Sequence, residues 1–140
     1  MGFLIDSNIL IAAERGHFSL ADLARDVAGE SLALSAITAS ELLHGVHRAT
    51  DPGVREKRAR FVEYVLGLFP ILPFDLEIAR VHAELWAAMQ QAGQTIGAHD
   101  LIIAATARAI GYGVITANSA EFQRVPGLTV INPLTSAGAA

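Results

Sequence analysis

Cysteine is absent from this 140-residue sequence, and lysine occurs only once, at Lys57. Without cysteine there can be no disulfide bond, no thiolate nucleophile and no cysteine-ligated zinc. No apolar run approaches the roughly 18 uncharged residues that a transmembrane helix requires. The first residues also lack the positive charge that opens a secretory signal. We therefore expect a cytoplasmic protein with no membrane segment.

Several common catalytic motifs are missing as well. The sequence contains no G-x-x-x-x-G-K-[ST] loop for nucleotide phosphates and no G-x-G-x-x-G after its first apolar run. It has no G-x-S-x-G serine elbow, and its five histidines form no H-E-x-x-H pair. We expect His82 to pack in the core beside Trp86, and His99 to have at most a supporting role next to Asp100.

Positive charge is scarce but concentrated in one segment. The formal net charge is −4, with ten basic and 14 acidic residues, which by itself disfavours nucleic-acid binding. Five of the ten basic residues nevertheless lie close together, at Arg48, Arg55, Lys57, Arg58 and Arg60. Because local patches rather than total charge attract phosphate, this segment is either a nucleic-acid-binding surface or only a solvated helix face.

The apolar pattern predicts an α/β fold. Strands are predicted at residues 3–5, 31–35, 71–74, 113–116 and 128–132, and Pro73 confines the third of them to an edge or an end of the sheet. The segments between them have helical spacing, with predicted N-terminal caps at Ser19 and Thr38. This alternation indicates one three-layer domain over residues 1–134 with a mostly parallel sheet of about five strands. The small-residue tail at 135–140 is expected to be flexible.

Four acids fall where predicted strands end and predicted helices begin: Asp6, Glu41, Asp100 and Glu121. Each has an ordinary explanation when it is considered alone. Asp6 would cap a helix, and Thr38 with Glu41 matches a capping box in a first helical turn. Asp100 suits the dipole of a first turn, and Glu121 would lie on the surface of a short helix.

Considered together, these acids favour a metal site. In doubly wound sheets ligands collect at the carboxyl ends of the strands, and acids beside such apolar segments need partners there. No lysine or arginine adjoins Asp6, Glu41 or Asp100 in the sequence. A divalent cation would offset their repulsion, and Mg²⁺ or Mn²⁺ prefers such hard oxygen ligands. Asn8 and Asn118 could add carbonyl oxygens or hydrogen bonds.

Four segments, in order along nearly the whole chain, resemble the PIN-domain ribonucleases of the VapC toxin type. LIDSNIL resembles the opening strand with the first metal-binding Asp, and SELLHG the segment with the second acid. HDLIIAATA resembles the third-acid segment, and GVITANSAEF the closing segment. By position, the resemblance implies that Asp6, Glu41 and Asp100 form the acidic core that holds Mg²⁺ or Mn²⁺.

The closing segment departs from the family pattern, which often has an Asp where this chain offers Asn118 and then Glu121. Both therefore remain candidates to complete the site, with Glu121 as the fourth catalytic acid. Thr116 and Asn8 match polar positions that support the site in the family.

The resemblance also implies an activity and partners. The activity is metal-assisted hydrolysis of RNA phosphodiester bonds, and the partners are a cognate antitoxin and a second copy of the chain in a homodimer. RNA contacts are expected at Arg48, Arg55, Lys57 and Arg58. Leu20 or Leu23 would be antitoxin contacts, although most apolar residues of that segment are expected in the core.

Two other interpretations stay open at this point. A haloacid-dehalogenase-like phosphatase also has an Asp after its first strand, but it needs a second Asp where this chain has Asn8, and Lys57 is poorly placed to be its lysine. A non-catalytic PIN-like binding module would keep the same acids only as helix caps.

Overall fold

A sheet of five parallel strands runs through the computed structural model, which describes residues 1–134. The strands are β1 (Gly2–Ile5), β2 (Ser31–Ser35), β3 (Ile71–Leu72), β4 (Gly113–Ile115) and β5 (Val130–Ile131). Their order in the sheet is β3-β2-β1-β4-β5. The predicted α/β class with a parallel sheet is confirmed, and the edge position of β3 agrees with Pro73. The tail predicted at 135–140 lies outside the described residues.

Seven helices lie between these strands within the described part of the chain. They are α1 (Ser7–Glu14), α2 (Leu20–Asp26), α3 (Ala36–Arg48), α4 (Pro52–Leu68), α5 (Leu76–Gln91), α6 (Ala98–Ile110) and α7 (Ser119–Phe122). No helix within residues 1–134 is both long enough and apolar enough to cross a membrane.

Helices cover both faces of the sheet, as a three-layer domain requires. Successive side chains of a strand point to opposite faces, and β1 illustrates this. Leu4 packs into a buried cluster with side chains of α5 and α6. Phe3 and Ile5 pack into a second cluster with side chains of α1, α2, α3 and α4. Because both faces of β1 are buried, its sequence is a continuous apolar run rather than an alternating one.

The order of the strands reverses between β1 and β4. From β1 the chain moves outward through β2 to β3, and it later returns to place β4 and β5 on the other side of β1. Connections that leave in opposite directions open a crevice at the carboxyl ends of the two central strands. The residues that directly follow β1 and β4 are Asp6 and Thr116.

The start of α3 corrects one prediction. The N-terminal cap is Ser35, whose hydroxyl accepts from the Ile37 N–H at 3.3 Å, so the helix begins one turn before Thr38. Thr38 is fully buried, and its hydroxyl has no hydrogen-bond partner among residues 1–134. Glu41 therefore lies in the second helical turn rather than in a capping box. The predicted cap at Ser19 is confirmed, since its hydroxyl accepts from the Asp22 N–H.

The prediction that His82 is a core residue is wrong. His82 is only partly buried, and Trp86 beside it is 53% exposed. The His82 ring lies between those of Phe74 and Trp86, with centroid distances of 5.5 and 5.7 Å. Leu85, on the side of α5 that faces the core, is buried. His82 and Trp86 lie on the outer side of the apolar stripe and line an open groove instead.

The structure also restricts the expected antitoxin contacts. Leu23 is 1% exposed and belongs to the core cluster on the α1–α4 face, so it is not available on the surface. Leu20 is partly buried and packs against the same cluster.

Candidate active site

Asp6 lies at the carboxyl end of β1 and is only 4% exposed. Its Oδ1 accepts from the Ser7 N–H at 2.8 Å, which makes it the N-terminal cap of α1. Its Oδ2 accepts from the Thr116 hydroxyl, also at 2.8 Å. This second contact follows from the sheet register, because Ile5 and Ile115 are paired and the next residue of each strand enters the same crevice.

Thr116 connects Asp6 to the two candidate asparagines. Its hydroxyl oxygen accepts from the Asn118 N–H at 2.9 Å and from the Asn8 side-chain amide at 3.3 Å. The Asn8 amide also donates to Asp6 Oδ2 at 3.3 Å, while its oxygen accepts from the Ala117 N–H at 3.1 Å. The structure thus gathers the three supporting polar residues of the sequence prediction around the buried carboxylate.

Asp100 and Glu121 meet through Asn118. Asp100 lies in the first turn of α6, and Glu121 lies in α7, directly after β4 and its loop. The Asn118 side-chain amide donates to Asp100 Oδ2 at 3.1 Å and to Glu121 Oε2. Glu121 Oε1 accepts from the Gly97 N–H at the start of α6. Asn118 therefore presents a donor to both acids, and the carboxylate oxygens of Glu121 lie beside those of Asp100.

Glu41 connects the two halves of the site. Side chains of a helix point toward its N-terminus, so a glutamate in the second turn of α3 reaches back to the strand ends. Glu41 Oε1 accepts from the Ser7 hydroxyl at 3.3 Å, and Oε2 lies 3.3 Å from Nδ1 of His99. Ser7 adjoins Asp6 and His99 adjoins Asp100, so the four predicted acids share one location in the fold.

Burial and mutual repulsion raise the pKa of two of these acids. Desolvation raises the pKa of Asp6 above its ordinary range, although hydrogen bonds from Thr116 and Ser7 oppose the shift. Desolvation and then the charges of Asp6 and Glu121 raise the pKa of Asp100 to about 7. The Gly97 N–H, by contrast, lowers the pKa of the Glu121 carboxyl.

These oxygens suit a hard divalent cation. Within residues 1–134 neither Asp6 nor Asp100 pairs with a lysine or arginine, so no positive charge of the described chain offsets their repulsion directly. In the same part of the chain, no three His, Asp or Glu side chains are gathered closely enough to enclose a metal ion. Mg²⁺ fits such an open arrangement, because it keeps several waters and takes one or two carboxylates plus substrate phosphate.

The predicted RNA-binding residues separate into two groups. Arg48 and Arg58 line a cavity of about 200 Å³ whose wall also includes Glu41. Arg55 and Lys57 do not line it. Arg55 donates instead to the carbonyl oxygen of Ala49 at 2.9 Å, and Lys57 is exposed on α4.

The model of one protein family, described as the PIN domain, matches residues 3–128 of the chain. The chain belongs to this family. Ribonuclease VapC of Rickettsia bellii is 38% identical over 131 residues, which cover 94% of this chain and 96% of the relative. The resemblance to PIN-domain ribonucleases of the VapC type is therefore confirmed, and the phosphatase interpretation loses its basis.

Solved structures agree with this assignment of the PIN domain. VapBC2 from Rickettsia felis, crystallised with a DNA fragment of its promoter, superposes with a TM-score of 0.84 at 28% identity, covering 94% of this chain and 98% of that one. VapBC-5 from Mycobacterium tuberculosis, a member of a family of toxin–antitoxin systems, gives a TM-score of 0.76 at 25% identity, covering 94% and 98%.

Sequence reasoning missed or undervalued four residues of this PIN domain. Ser7 and His99 hold Glu41, although each was visible beside a candidate acid. Gly97 donates its N–H to Glu121, and a Cβ at this position would lie 3.4 Å from the same carboxylate. A glycine just before a predicted helix was the available signal. Arg15 lines the same cavity as Glu41 and gave no sequence signal, because packing of α1 against α3 brings it there.

Proposed function

We propose that this VapC-type PIN domain is a metal-dependent endoribonuclease, the toxin of a toxin–antitoxin pair, which uses Mg²⁺ or Mn²⁺ to hydrolyse RNA phosphodiester bonds. The observation that carries the proposal is the convergence of Asp6, Glu41, Asp100 and Glu121 at the crevice between β1 and β4. The name of the relative from Rickettsia bellii, Ribonuclease VapC, supports RNA as the substrate.

Asp6 and Asp100 would hold the cation. When bound, a divalent cation supplies a Lewis acid that activates water and offsets charge on the phosphate. Hydrogen bonds from the Thr116 hydroxyl and the Ser7 N–H orient the Asp6 carboxylate, so the remaining lone pairs of its oxygens are available to a cation. Asp100 has a pKa of about 7, so near neutral pH it gives up its proton when a cation arrives.

The remaining polar groups orient the carboxylates. Asn118 donates to both Asp100 and Glu121 and so keeps the two acids adjacent despite their like charge. Glu121 keeps its charge more readily than Asp100, because the Gly97 N–H lowers its pKa. Ser7 and His99 fix the two oxygens of Glu41. Rigid strand ends and helix starts suit this role, since they restrict ligand geometry.

A cleavage assay with matched variants tests this proposal. We expect the purified chain to cut RNA with Mn²⁺ and to stop when the metal is chelated, and we expect Asp6→Asn or Asp100→Asn to abolish cutting while the fold survives. Asp75→Asn is the control, because Asp75 also caps a helix, through the Ile78 N–H at 2.9 Å, but lies outside the site.

The outcomes separate the enzyme from the binding-module interpretation. Loss of cutting in the Asp6 variant with full cutting in the Asp75 variant supports a site in which Asp6 is more than a cap. Equal cutting by parent and Asp100→Asn would refute the assignment. If the parent neither cuts RNA nor gains thermal stability with millimolar Mn²⁺, the acids only cap helices and the domain is a binding module.

A cognate antitoxin is the second part of the proposal. The VapBC-5 neighbour is a toxin–antitoxin protein by its description. We expect coexpression with the antitoxin to suppress RNA cleavage, and cleavage to return when the complex is dissociated. Cleavage at the same rate in the presence of excess antitoxin would contradict this part.

A homodimer is the third part of the proposal. Apolar side chains just before and along α5 are widely exposed: Phe74 by 48%, Leu76 by 67% and Trp86 by 53%. Exposed apolar side chains on one element are typical of an interface, and Phe74 follows the short edge strand β3 by two residues. We expect light scattering to give the mass of two chains, and Trp86→Glu to give the mass of one. A monomeric parent would contradict the homodimer.

A further inference from the structure

A small cavity beside the candidate active site contains three arginines. It has a volume of about 200 Å³ and is formed where α1, α3 and α4 meet, with Arg15, Arg48 and Arg58 in its wall. Glu41, which also belongs to the acid cluster, lies in the same wall. Through Glu41 the cavity therefore adjoins the site proposed to cleave RNA.

Arg58 is held in place by its neighbours. Its Nε lies 3.3 Å from Glu14 Oε2, and one terminal nitrogen donates to the carbonyl oxygen of Gly45 at 3.1 Å. The pair is well shielded, with the side chains of Arg58 and Glu14 only 28% and 19% exposed. Glu14, which also lies in the wall of the cavity, is thus paired with Arg58, and within residues 1–134 it forms no ion pair with Arg15 or Arg48.

Arg15 and Arg48 have charges that nothing in the described chain satisfies. Both side chains are exposed, and neither forms a hydrogen bond or ion pair within residues 1–134. Two unpaired guanidinium groups and a third that Glu14 and Gly45 hold therefore line one cavity. The two parallel N–H donors of a guanidinium group bind a phosphate in a bidentate manner.

The wall of the cavity favours a phosphate over a base. Besides the three arginines, Glu14 and Glu41, its members are aliphatic or glycine, at Ile11, Leu42, Gly45 and Val62, and no aromatic ring is present. Bases of single-stranded RNA are usually bound by stacking on aromatic side chains. A cavity of about 200 Å³ with arginines and no aromatic ring in its wall therefore suits a phosphate group better than a stacked base.

We propose that Arg15 and Arg48 bind an RNA phosphate that neighbours the scissile one, beside an Arg58 that is positioned by Glu14. The inference rests on the proposed function for the identity of the strand. It excludes Arg55, Lys57 and Arg60 from this contact, although they belong to the same basic segment. Arg60 is instead paired with Glu56 on the exposed side of α4.

Binding of a short single-stranded RNA, measured in chelator so that nothing is cut, tests the proposal. We expect Arg15→Ala and Arg48→Ala each to weaken binding about tenfold at low salt and to reduce the slope of log affinity against log salt by about 0.7. Arg60→Ala is the matched control, as it removes the same charge from α4 away from the cavity. Equal losses in all three variants, or none, would overturn the proposal.

A neutral phosphate locates the contact on the RNA. In a set of oligonucleotides, each carrying one methylphosphonate, the parent should lose affinity most at one position. Arg48→Ala should lose no further affinity at that position, whereas Arg60→Ala should lose as much as the parent. Additive losses at every position would overturn the proposal, because they indicate a diffuse field rather than one bound phosphate.

Failure of this inference differs from failure of the proposed function. If the chain binds RNA as described but never cuts it, the phosphate contact is supported and the proposed nuclease activity is refuted. A chain whose Arg15 and Arg48 variants cut and bind RNA like the parent would remain a nuclease without this contact. If the same variants lose affinity only for an acidic peptide, the cavity binds protein and the proposal is wrong.

Discussion

Replacing Asp100 with asparagine should stabilise the metal-free protein above neutral pH. In the fold, desolvation and the charges of Asp6 and Glu121 raise the pKa of Asp100 from 3.8 to about 7. The folded chain therefore keeps a proton that the unfolded chain loses between these two values, so the free energy of unfolding falls as the pH rises through this window. Asparagine removes the charge and can still accept from the Asn118 amide.

The size of this effect follows from the pKa of Asp100. The difference between 3.8 and about 7 corresponds to about 4 kcal/mol at most. Because Asp100 is partly exposed, solvent screening reduces this to about 1–2 kcal/mol. For a chain of this length that is a rise of about 3–6 °C in the melting temperature.

Thermal unfolding in chelator, at pH 5 and at pH 8, measures this change in melting temperature. We expect Asp100→Asn to melt above the parent at pH 8 and to exceed it by only about a third as much at pH 5, because pH 5 lies about a third of the way between the unfolded and folded pKa values of Asp100. Asp75→Asn should melt like the parent at both values. A variant that is no more stable than the parent at pH 8, or is equally stabilised at both values, would refute the argument from charge repulsion.

Two further predictions concern the packing around this site and the sheet below it. Thr116→Val should lower the free energy of unfolding by about 1–3 kcal/mol, because it removes the hydroxyl that donates to buried Asp6. In the control Thr106→Val, the lost hydroxyl bonds only to its own helix, so the free energy of unfolding should fall by less than about 1 kcal/mol. Equal costs would contradict the role of Thr116. Gly113→Ala should lower the free energy of unfolding by about 1–3 kcal/mol, since its methyl would lie 2.8 Å from a carbonyl oxygen. Gly67→Ala lies in open space on a helix and should raise the free energy of unfolding by up to about 1 kcal/mol. A Gly113 variant as stable as the parent would show that the sheet moves to accommodate the methyl.

Local signals predicted most of the fold. The apolar run FLI before Asp6 indicated a strand, and Pro73 confined the third strand to an edge or an end of the sheet; both agree with the structure. The start of α3 could not be predicted from capping patterns, because Ser35 and Thr38 are both competent caps. The end of β2 determines which of them is the cap, because the strand extends to Ser35 and places its hydroxyl at the N-terminus of α3.

The acids of the site were predictable from their position after strands, but their environments were not. Asp6 and Asp100 are both aspartates at helix starts, yet only three-dimensional packing shows that Asp100 lies near Glu121 and Asn118. His82 illustrates the opposite error. Its spacing on α5 matches a buried stripe, and only the width of the surface that α6 covers shows that it lies at the rim.

The basic segment shows why charge patterns in a sequence remain ambiguous. Arg48 and Arg58 line the cavity beside the acids, whereas Arg55 bonds to backbone. Arg15, far from this segment in the sequence, joins them there. Contacts between helices, rather than charge density along the chain, determine which cations are free to meet a phosphate.

Direct titration of Mn²⁺ into the metal-free protein tests the central claim that Asp6 and Asp100 form a cation site. We expect the parent to bind Mn²⁺ at pH 8 and to bind it about tenfold more weakly at pH 6, because the metal must displace the proton of Asp100, whose pKa is about 7. Asp6→Asn and Asp100→Asn should lose this binding, and Asp75→Asn should keep it. No binding by the parent at millimolar Mn²⁺, or equal binding by all four proteins, would contradict the account.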